Sequence, residues 1–236
     1  MKKTLLSVAI FSGAKISACT TCNKELQMQI YDSTFFPNLL VMLSAFFVIG
    51  LLVMILTKHS LKRHRAAVAL NPDYAQLNPV PLTTAAIVLG IGLGGFADGI
   101  ILHQVLQWHE MLSNKIPVNT VMGKSVNMFW DGIFHLFCLL VVFTGIMLLW
   151  KSLFRKGINR SGTLLAGGML IGWALFNVIE GVIDHHLLKL HNVKEISGYT
   201  SLFNLGFLFL SVLMLIAGVM LVYRKDHYKL ADNTEV

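Results

Sequence analysis

Charge is what this sequence has least of. Asp, Glu, Lys and Arg make up only 13% of the residues, against about one-quarter in a soluble globular domain. Hydrophobic residues make up 55%, and the mean hydropathy is +0.67. This composition excludes an ordinary soluble domain and predicts a protein whose solvent is the lipid bilayer. The net charge of +7 is expected on cytoplasmic loops, so it does not indicate a nucleic-acid partner.

Cysteine is also scarce, with three residues in the chain. Cys19 and Cys22 form a C-x-x-C pair, but Asn23 follows where a c-type haem motif has His, which excludes that motif. The preceding Ile-Ser-Ala fits a lipobox, in which Cys19 would be lipidated. Alternatively, Cys19 and Cys22 form a disulfide or a soft-metal site outside the membrane. Cys138 lies inside a hydrophobic run, where we expect a buried, inert thiol.

Five hydrophobic runs are long enough to cross a membrane, since about 20 helical residues span its hydrocarbon core. They occupy residues 36–56, 83–106, 129–150, 164–188 and 202–222. Ahead of them, Lys2 and Lys3 precede an apolar stretch at 4–14 and small residues up to Ala18, the pattern of a signal peptide. The sequence therefore predicts an all-α membrane protein with about five transmembrane helices after an N-terminal signal sequence.

The basic residues predict the orientation. Eleven flank the proposed inner ends and five lie in the opposite loops, so the positive-inside rule places the mature N-terminus outside and the C-terminus inside a bacterial inner membrane. The signal peptide requires the same orientation. We expect a signal peptide at 1–18, an external Cys-containing segment at 19–35, a first transmembrane helix at 36–57, a basic cytoplasmic loop at 58–81, a four-helix domain at 82–223 and a cytoplasmic tail at 224–236.

Acids and histidines recur at matching offsets. The segment DGIILHQVLQWH, which begins at Asp98, aligns without gaps on EGVIDHHLLKLH, which begins at Glu180. In both, an acid–Gly pair is followed by His five and eleven residues later. Each segment ends a span and precedes a returning span, which predicts a parallel repeat of helix pairs, spans 2–3 and 4–5. The third span adds a shorter echo, DGIFH, from Asp131 to His135.

Helix geometry predicts two layers of candidate residues. In a continuous α-helix, each repeat separates its acid from its last His by about 16 Å. We expect His103, His135 and His185 at one depth, where three helices bring three imidazoles to one ion. Asp98 and Glu180 are expected deeper, beside the ligands or as proton carriers. An outer layer is expected from Asp131, His109 and His191, and His186 completes the candidate ligands.

Ionisable residues inside spans are costly and usually functional, although single ones also serve as hydrogen bonds between helices. The leading hypothesis is a site for zinc, copper or iron, or for haem b, that serves metal handling or respiratory-complex assembly. Its partners would be the lipid bilayer and respiratory or metal-handling membrane proteins. One alternative is a zinc-dependent membrane hydrolase with Asp98 or Glu180 as general base. Another is a proton-coupled transporter that uses the same acids as carriers.

The segments GLGGFADGIILHQVLQWHEMLS, FWDGIFH and GWALFNVIEGVIDHHLLKLHNV resemble a family of bacterial predicted membrane proteins, domain of unknown function 2243. The resemblance runs from residue 81 to the last span and implies no established activity. Members of this family usually carry a second His directly after each motif-ending His. This chain has Glu110 and Asn192 there, so a site that needs paired histidines would be altered. The first span and the Cys19/Cys22 segment are additions to the family pattern.

Overall fold

The computed structural model describes residues 23–70, 77–195 and 198–223, and these ranges contain six α-helices. The helices are α1 (Lys24–Ile30), α2 (Phe35–Leu70), α3 (Val80–Ala97), α4 (Val121–Leu153), α5 (Gly162–Glu180) and α6 (Thr200–Val222). Two of them, α3 and α5, continue directly into π-helical segments, Asp98–Val105 and Gly181–Leu187. The described ranges contain no β-strand, which confirms the all-α class.

Five helices are long and apolar enough to span a membrane: α2, α4, α6, and α3 and α5 with their π-helical segments. This confirms the five predicted spans. The first span, α2, is longer than predicted. It continues to Leu70, whereas a cytoplasmic loop was expected to begin at residue 58. The stretch 58–70 contains no Gly or Pro, so nothing in it interrupts a helix. The predicted signal sequence, Cys19, Cys22 and the tail at 224–236 lie outside the described residues.

The two central helices, α3 and α5, pack with their backbones in contact. A Cβ atom added at Gly90 would overlap the carbonyl oxygen of Met169, and one added at Gly172 would overlap that of Ile87. Only glycine permits this approach, as is common between transmembrane helices. The contact fixes the position of α3 relative to α5. These helices, together with the π-helical segments that continue them, carry five of the eight residues of the cluster described below.

Around this pair, α2 and α4 close one side of the bundle with aromatic rings. Phe46 of α2 contacts Phe134 of α4 and Phe176 of α5, each with ring centroids 5.7 Å apart. Cys138 is fully buried and unpaired, as expected. In contrast, α6 exposes large apolar residues along most of its length, which suits a surface in contact with lipid. The aromatic layer supports the histidines that lie directly beside it.

Candidate metal centre

The π-helical segments bring each acid next to the His that follows it by five residues. In an α-helix, residues five apart lie about 140° apart around the axis. A π-helix has wider turns with i→i+5 hydrogen bonds, and here Leu106 N–H donates to Ile101 O (2.8 Å) while Leu188 N–H donates to Ile183 O (2.7 Å). The wider turns therefore place both acid–His pairs on one face of their helices, and that face is buried in the bundle.

In the first segment, His103 lies between two carboxylates. Its Nε2 is 3.1 Å from Asp98 Oδ2 and its Nδ1 is 2.9 Å from Asp131 Oδ1. Carboxylate oxygens accept, so an imidazolium with two N–H groups satisfies both partners. The ring also stacks on Phe134, with centroids 5.9 Å apart. All the hydrogen-bonding capacity of His103 is thus used by the protein, and its ring is held on three sides.

After each π-helical segment the chain turns back into the bundle. Gln107 and Lys189 occupy equivalent positions in the two sequence segments, and both have positive φ values, 48° and 50°. This left-handed conformation ends the helix and reverses the chain direction. As a result, His109 and His191 are buried at 2% and 0% exposure instead of lying near the surface. The predicted separation into a deep and an outer layer is therefore wrong.

The two returning loops orient each other's imidazoles. His109 donates from Nδ1 to Val193 O (2.9 Å), and His191 donates from Nδ1 to Met111 O (3.0 Å). Each acceptor lies two residues beyond the histidine of the opposite loop. Because a carbonyl only accepts, both Nδ1 atoms carry hydrogen, so each ring would coordinate a metal through a deprotonated Nε2. Ligating histidines commonly have this second hydrogen bond to a carbonyl.

Residues of α4 and α6 anchor the same loops. Asp131 accepts from Met111 N–H (3.0 Å), and Asn204 accepts from Val193 N–H (2.9 Å). Asn127, which is fully buried, accepts from Leu112 N–H (2.9 Å). The acceptors Asp131 and Asn204 bind the residues that supply the carbonyls to His191 and His109. These bonds hold the loop backbone in the position that aims the two Nε2 atoms inward.

Glu180 lies against two imidazoles. Its Oε1 atom is 3.1 Å from His191 Nε2 and 3.0 Å from His185 Nε2, although the His185 contact lacks hydrogen-bond alignment. Since Nδ1 of His191 already carries hydrogen, its Nε2 faces the carboxylate either with a second proton or across a bound cation. Glu180 is 3% exposed, so a buried carboxylate at this position requires a compensating positive charge.

Seven buried side-chain atoms in the described structure have no hydrogen-bond partner, and five of them, which exclude Glu110 Oε2 and His135 Nε2, belong to residues around Glu180. These five are His109 Nε2, Glu180 Oε2, Asp184 Oδ1, His185 Nδ1 and His185 Nε2. An unsatisfied buried polar atom costs about 1–3 kcal/mol, so native proteins rarely collect several together. All five belong to donor types that bind transition metals. The donor chemistry therefore fits a metal ion.

We call the assembled group the histidine cluster, which consists of His103, His109, His185 and His191 with Asp98, Asp131, Glu180 and Asp184. It contains two overlapping sets of three donors, each with its ligand atoms within 4.8 Å of one another. One set is His103, His109 and His191, and the other is Glu180, His185 and His191. His191 belongs to both sets. The second set has more free capacity, because both nitrogens of His103 are already bonded to carboxylates.

The surroundings shift the pKa values of His109 and His191, which lie outside the spans, in opposite directions. Burial, with the nearby charges of His103 and His191, holds the pKa of His109 well below its usual value. For His191, burial alone would lower the pKa, but the hydrogen bond to Glu180 and its charge outweigh burial and raise the pKa. His109 is therefore a neutral ring with an unpaired Nε2, the form in which imidazole binds metals.

The structure does not bring every predicted ligand into the histidine cluster. His135 is half-buried on α4, where it lies against Gly99 and its ring stacks on Phe96 at 6.1 Å. His186 is exposed. The sequence analysis also missed Asp184, which is 2% exposed and lies four residues after Glu180. An ionisable residue within a span was a signal for it.

A surface pocket reaches the cluster at His185. Its lining is mostly polar and includes Asn114, His186, Lys189, Asn192, Ser201 and Asn204. His186 and Lys189 are exposed at this position, whereas His185 is buried. The pocket therefore lies directly beside His185, at the edge of the cluster.

Comparison with known proteins shows that the sequence carrying the histidine cluster belongs to a family. A family model described as "Predicted membrane protein (DUF2243)" matches residues 85–225, which include the whole histidine cluster and more than half of the chain. No curated protein and no solved structure matches the chain. The first span lies outside the matched range, as the sequence analysis expected. The chain belongs to the predicted membrane protein family DUF2243.

Proposed function

We propose that the protein binds a transition metal ion in the histidine cluster, at the donor set formed by Glu180, His185 and His191, with His109 beside it. Three imidazoles and a carboxylate form a nitrogen and oxygen donor set that suits zinc, iron or copper. The observation that carries the proposal is the reciprocal bonding of His109 and His191, which aims one Nε2 atom of each loop into the cluster. A bound cation would also compensate the buried charge of Glu180.

The spacing of the rings favours an ion over haem b. The centroids of His109 and His191 are 4.5 Å apart with nearly parallel rings, and those of His185 and His191 are 4.8 Å apart. Rings this close leave no gap for a flat macrocycle between them. When bound, the ion would supply positive charge to Glu180, and the chain's own residues would fix the donor geometry. Metal handling in the membrane is the function that we propose.

Metal analysis of the protein purified from cells tests the proposal. We expect a stoichiometric transition metal in the wild type. His191→Ala should lose most of it, since His191 belongs to both donor sets and sites with three protein ligands lose affinity steeply when one is removed. Glu180→Gln preserves the size of the side chain and should also reduce the metal content. Size-exclusion chromatography in detergent identifies variants that fail to fold.

Two control variants make this experiment specific. His135→Ala removes a half-buried His outside both donor sets, and His59→Ala removes an exposed His from the far half of α2. Both should retain the metal fully. If the wild type contains no stoichiometric metal, or if His191→Ala and Glu180→Gln retain it, the proposal fails. The cluster would then be a charged hydrogen-bond network that holds the helices together.

The polar pocket at His185 favours hydrolysis as a second candidate function. Glu180 Oε2 and Asp184 Oδ1 have no hydrogen-bond partner and lie where a carboxylate could act as general base on a metal-activated water. Cobalt substitution provides the test. A visible spectrum that changes on adding azide indicates an open coordination position, as hydrolysis requires, and an unchanged spectrum contradicts it. Proton-coupled transport stays a prediction of the sequence.

A further inference from the structure

A cavity of about 340 Å³ lies between the helices at the end of the bundle opposite the histidine cluster. It is lined by residues of α2, α3, α5 and α6. Its size is within the range of small-molecule sites, about 300–1,000 Å³. It shares no lining residue with the cluster, so it is a separate feature of the fold.

The cavity exists because α2 separates from the bundle after its first half. The buried residues of α2 are Met42, Ala45, Phe46, Ile49 and Val53, and none of its later residues up to Leu70 is buried. The same helix face nevertheless continues beyond Val53. Its positions 56, 57, 60, 63, 64 and 67 line the cavity at helical spacing. The Thr57 hydroxyl lies 3.1 Å from the Thr84 hydroxyl of α3, but beyond Thr57 no residue of this face is buried against another described helix.

The lining changes from apolar to cationic along α2. At the deep end it consists of aliphatic side chains, including Val53, Leu56, Ile87 and Leu175. Toward the C-terminal end of α2, the lining continues with Ser60, Arg63 and His64. This change occurs where α3 begins at Val80 and α6 ends at Val222, and we expect lipid headgroups at the ends of such spans. Tyr223, typical of that boundary, also lines the cavity.

We propose that the cavity binds a phospholipid with an anionic headgroup, its acyl chain between α2 and the bundle and its phosphate near Arg63 and His64. Charge complementarity argues for this occupant, because a basic residue near the membrane surface attracts anionic lipid. The rest of the basic half of α2, with Lys58, Lys62 and Arg65, provides a surrounding positive field. An apolar occupant alone would gain nothing from the guanidinium at the mouth.

Native mass spectrometry of the full protein in detergent tests this site. The purified protein is delipidated and titrated with phosphatidylglycerol or with phosphatidylcholine of the same acyl chains. We expect preferential retention of phosphatidylglycerol. Arg63→Ala should weaken its binding about fivefold, the change that corresponds to about 1 kcal/mol per basic residue. Arg65→Ala is the matched control, because Arg65 lies on the same helix and contributes to the surrounding positive field without lining the cavity. This variant should lose clearly less affinity for phosphatidylglycerol than Arg63→Ala.

Two blocking variants complete the test. Ser60→Trp and Ala67→Trp add bulk at exposed positions of the lining, so both should fold and both should lose the bound lipid. Retained phosphatidylglycerol in both variants would overturn the proposal. Equal retention of phosphatidylcholine would also overturn it, as would equal losses in Arg63→Ala and Arg65→Ala, which indicate only a diffuse surface field. Metal content is not involved, so this result is independent of the proposed metal site.

Discussion

The backbone contact between α3 and α5 predicts that two Gly→Ala replacements in this protein will differ in their effect on stability. At Gly172, an added Cβ would overlap the Ile87 carbonyl oxygen and lie 2.9 Å from Ile91 N. At Gly206, in the interior of α6, an added Cβ would have no neighbour within 4 Å. Both replacements by Ala gain the same helix preference, about 0.5–1 kcal/mol. Only Gly172→Ala also forces two backbones apart.

The difference between the two variants therefore isolates the cost of the overlap, about 1–3 kcal/mol for a forced fit in a packed interior. We expect Gly206→Ala to be as stable as the wild type or slightly more stable, and Gly172→Ala to be less stable than Gly206→Ala by that amount. Unfolding in mixed micelles, followed by circular dichroism at increasing dodecyl sulfate, measures both. Equal stability of the two variants would refute the close approach of α3 and α5.

Two further predictions concern the loop anchors and the orientation. Asn127→Ala leaves Leu112 N–H and Ile116 O without their partners at 2.9 and 2.8 Å, so the unfolding free energy should fall by about 1–3 kcal/mol for each group. Asn127→Asp keeps the acceptor for Leu112 N–H but places a buried carboxylate against the carbonyls of Ile116 and Gly123, so it should cost at least as much. An unchanged unfolding free energy in Asn127→Ala would contradict this role. An alkaline phosphatase fusion after Glu110 should be active and one after Arg65 inactive, because basic residues flank the inner ends; the opposite result would reverse the orientation.

The sequence predicted the spans because long apolar runs are decisive in lipid. It also identified the acid–His pairs, since an offset of five recurs after Asp98 and Glu180. Assembly of the site could not be predicted in the same way. Under regular α-helical geometry, His109 and His191 lie about three turns beyond the acids. In the structure, the π-helical turns and the positive φ values at Gln107 and Lys189 bring these histidines back beside the acids. Neither Gln nor Lys favours a positive φ, so the sequence does not indicate this chain reversal.

The position of His135 could not be predicted from the sequence either. Depth along a helix is read from the sequence, but the direction in which a side chain points depends on how the helices pack. His103 bonds to Asp131 on α4, so α4 turns its acid toward the cluster. His135, one turn later, is left beside Gly99 at the edge. Asn204 is a buried polar residue of α6, and its bond to Val193 N–H explains its presence in a span.

The reciprocal bonds between the two loops determine when the site can form. His109 is oriented by a carbonyl from the second half of the chain, and His191 by a carbonyl from the first half. The second half of the chain contains the proposed donors Glu180, His185 and His191, but it needs the Met111 carbonyl of the first half to orient His191. Val193 is itself held by Asn204 of α6, the last helix to be synthesised. Both imidazoles thus reach their final orientation only after the last helix is in place, so the two halves of the chain must fold together to complete the cluster.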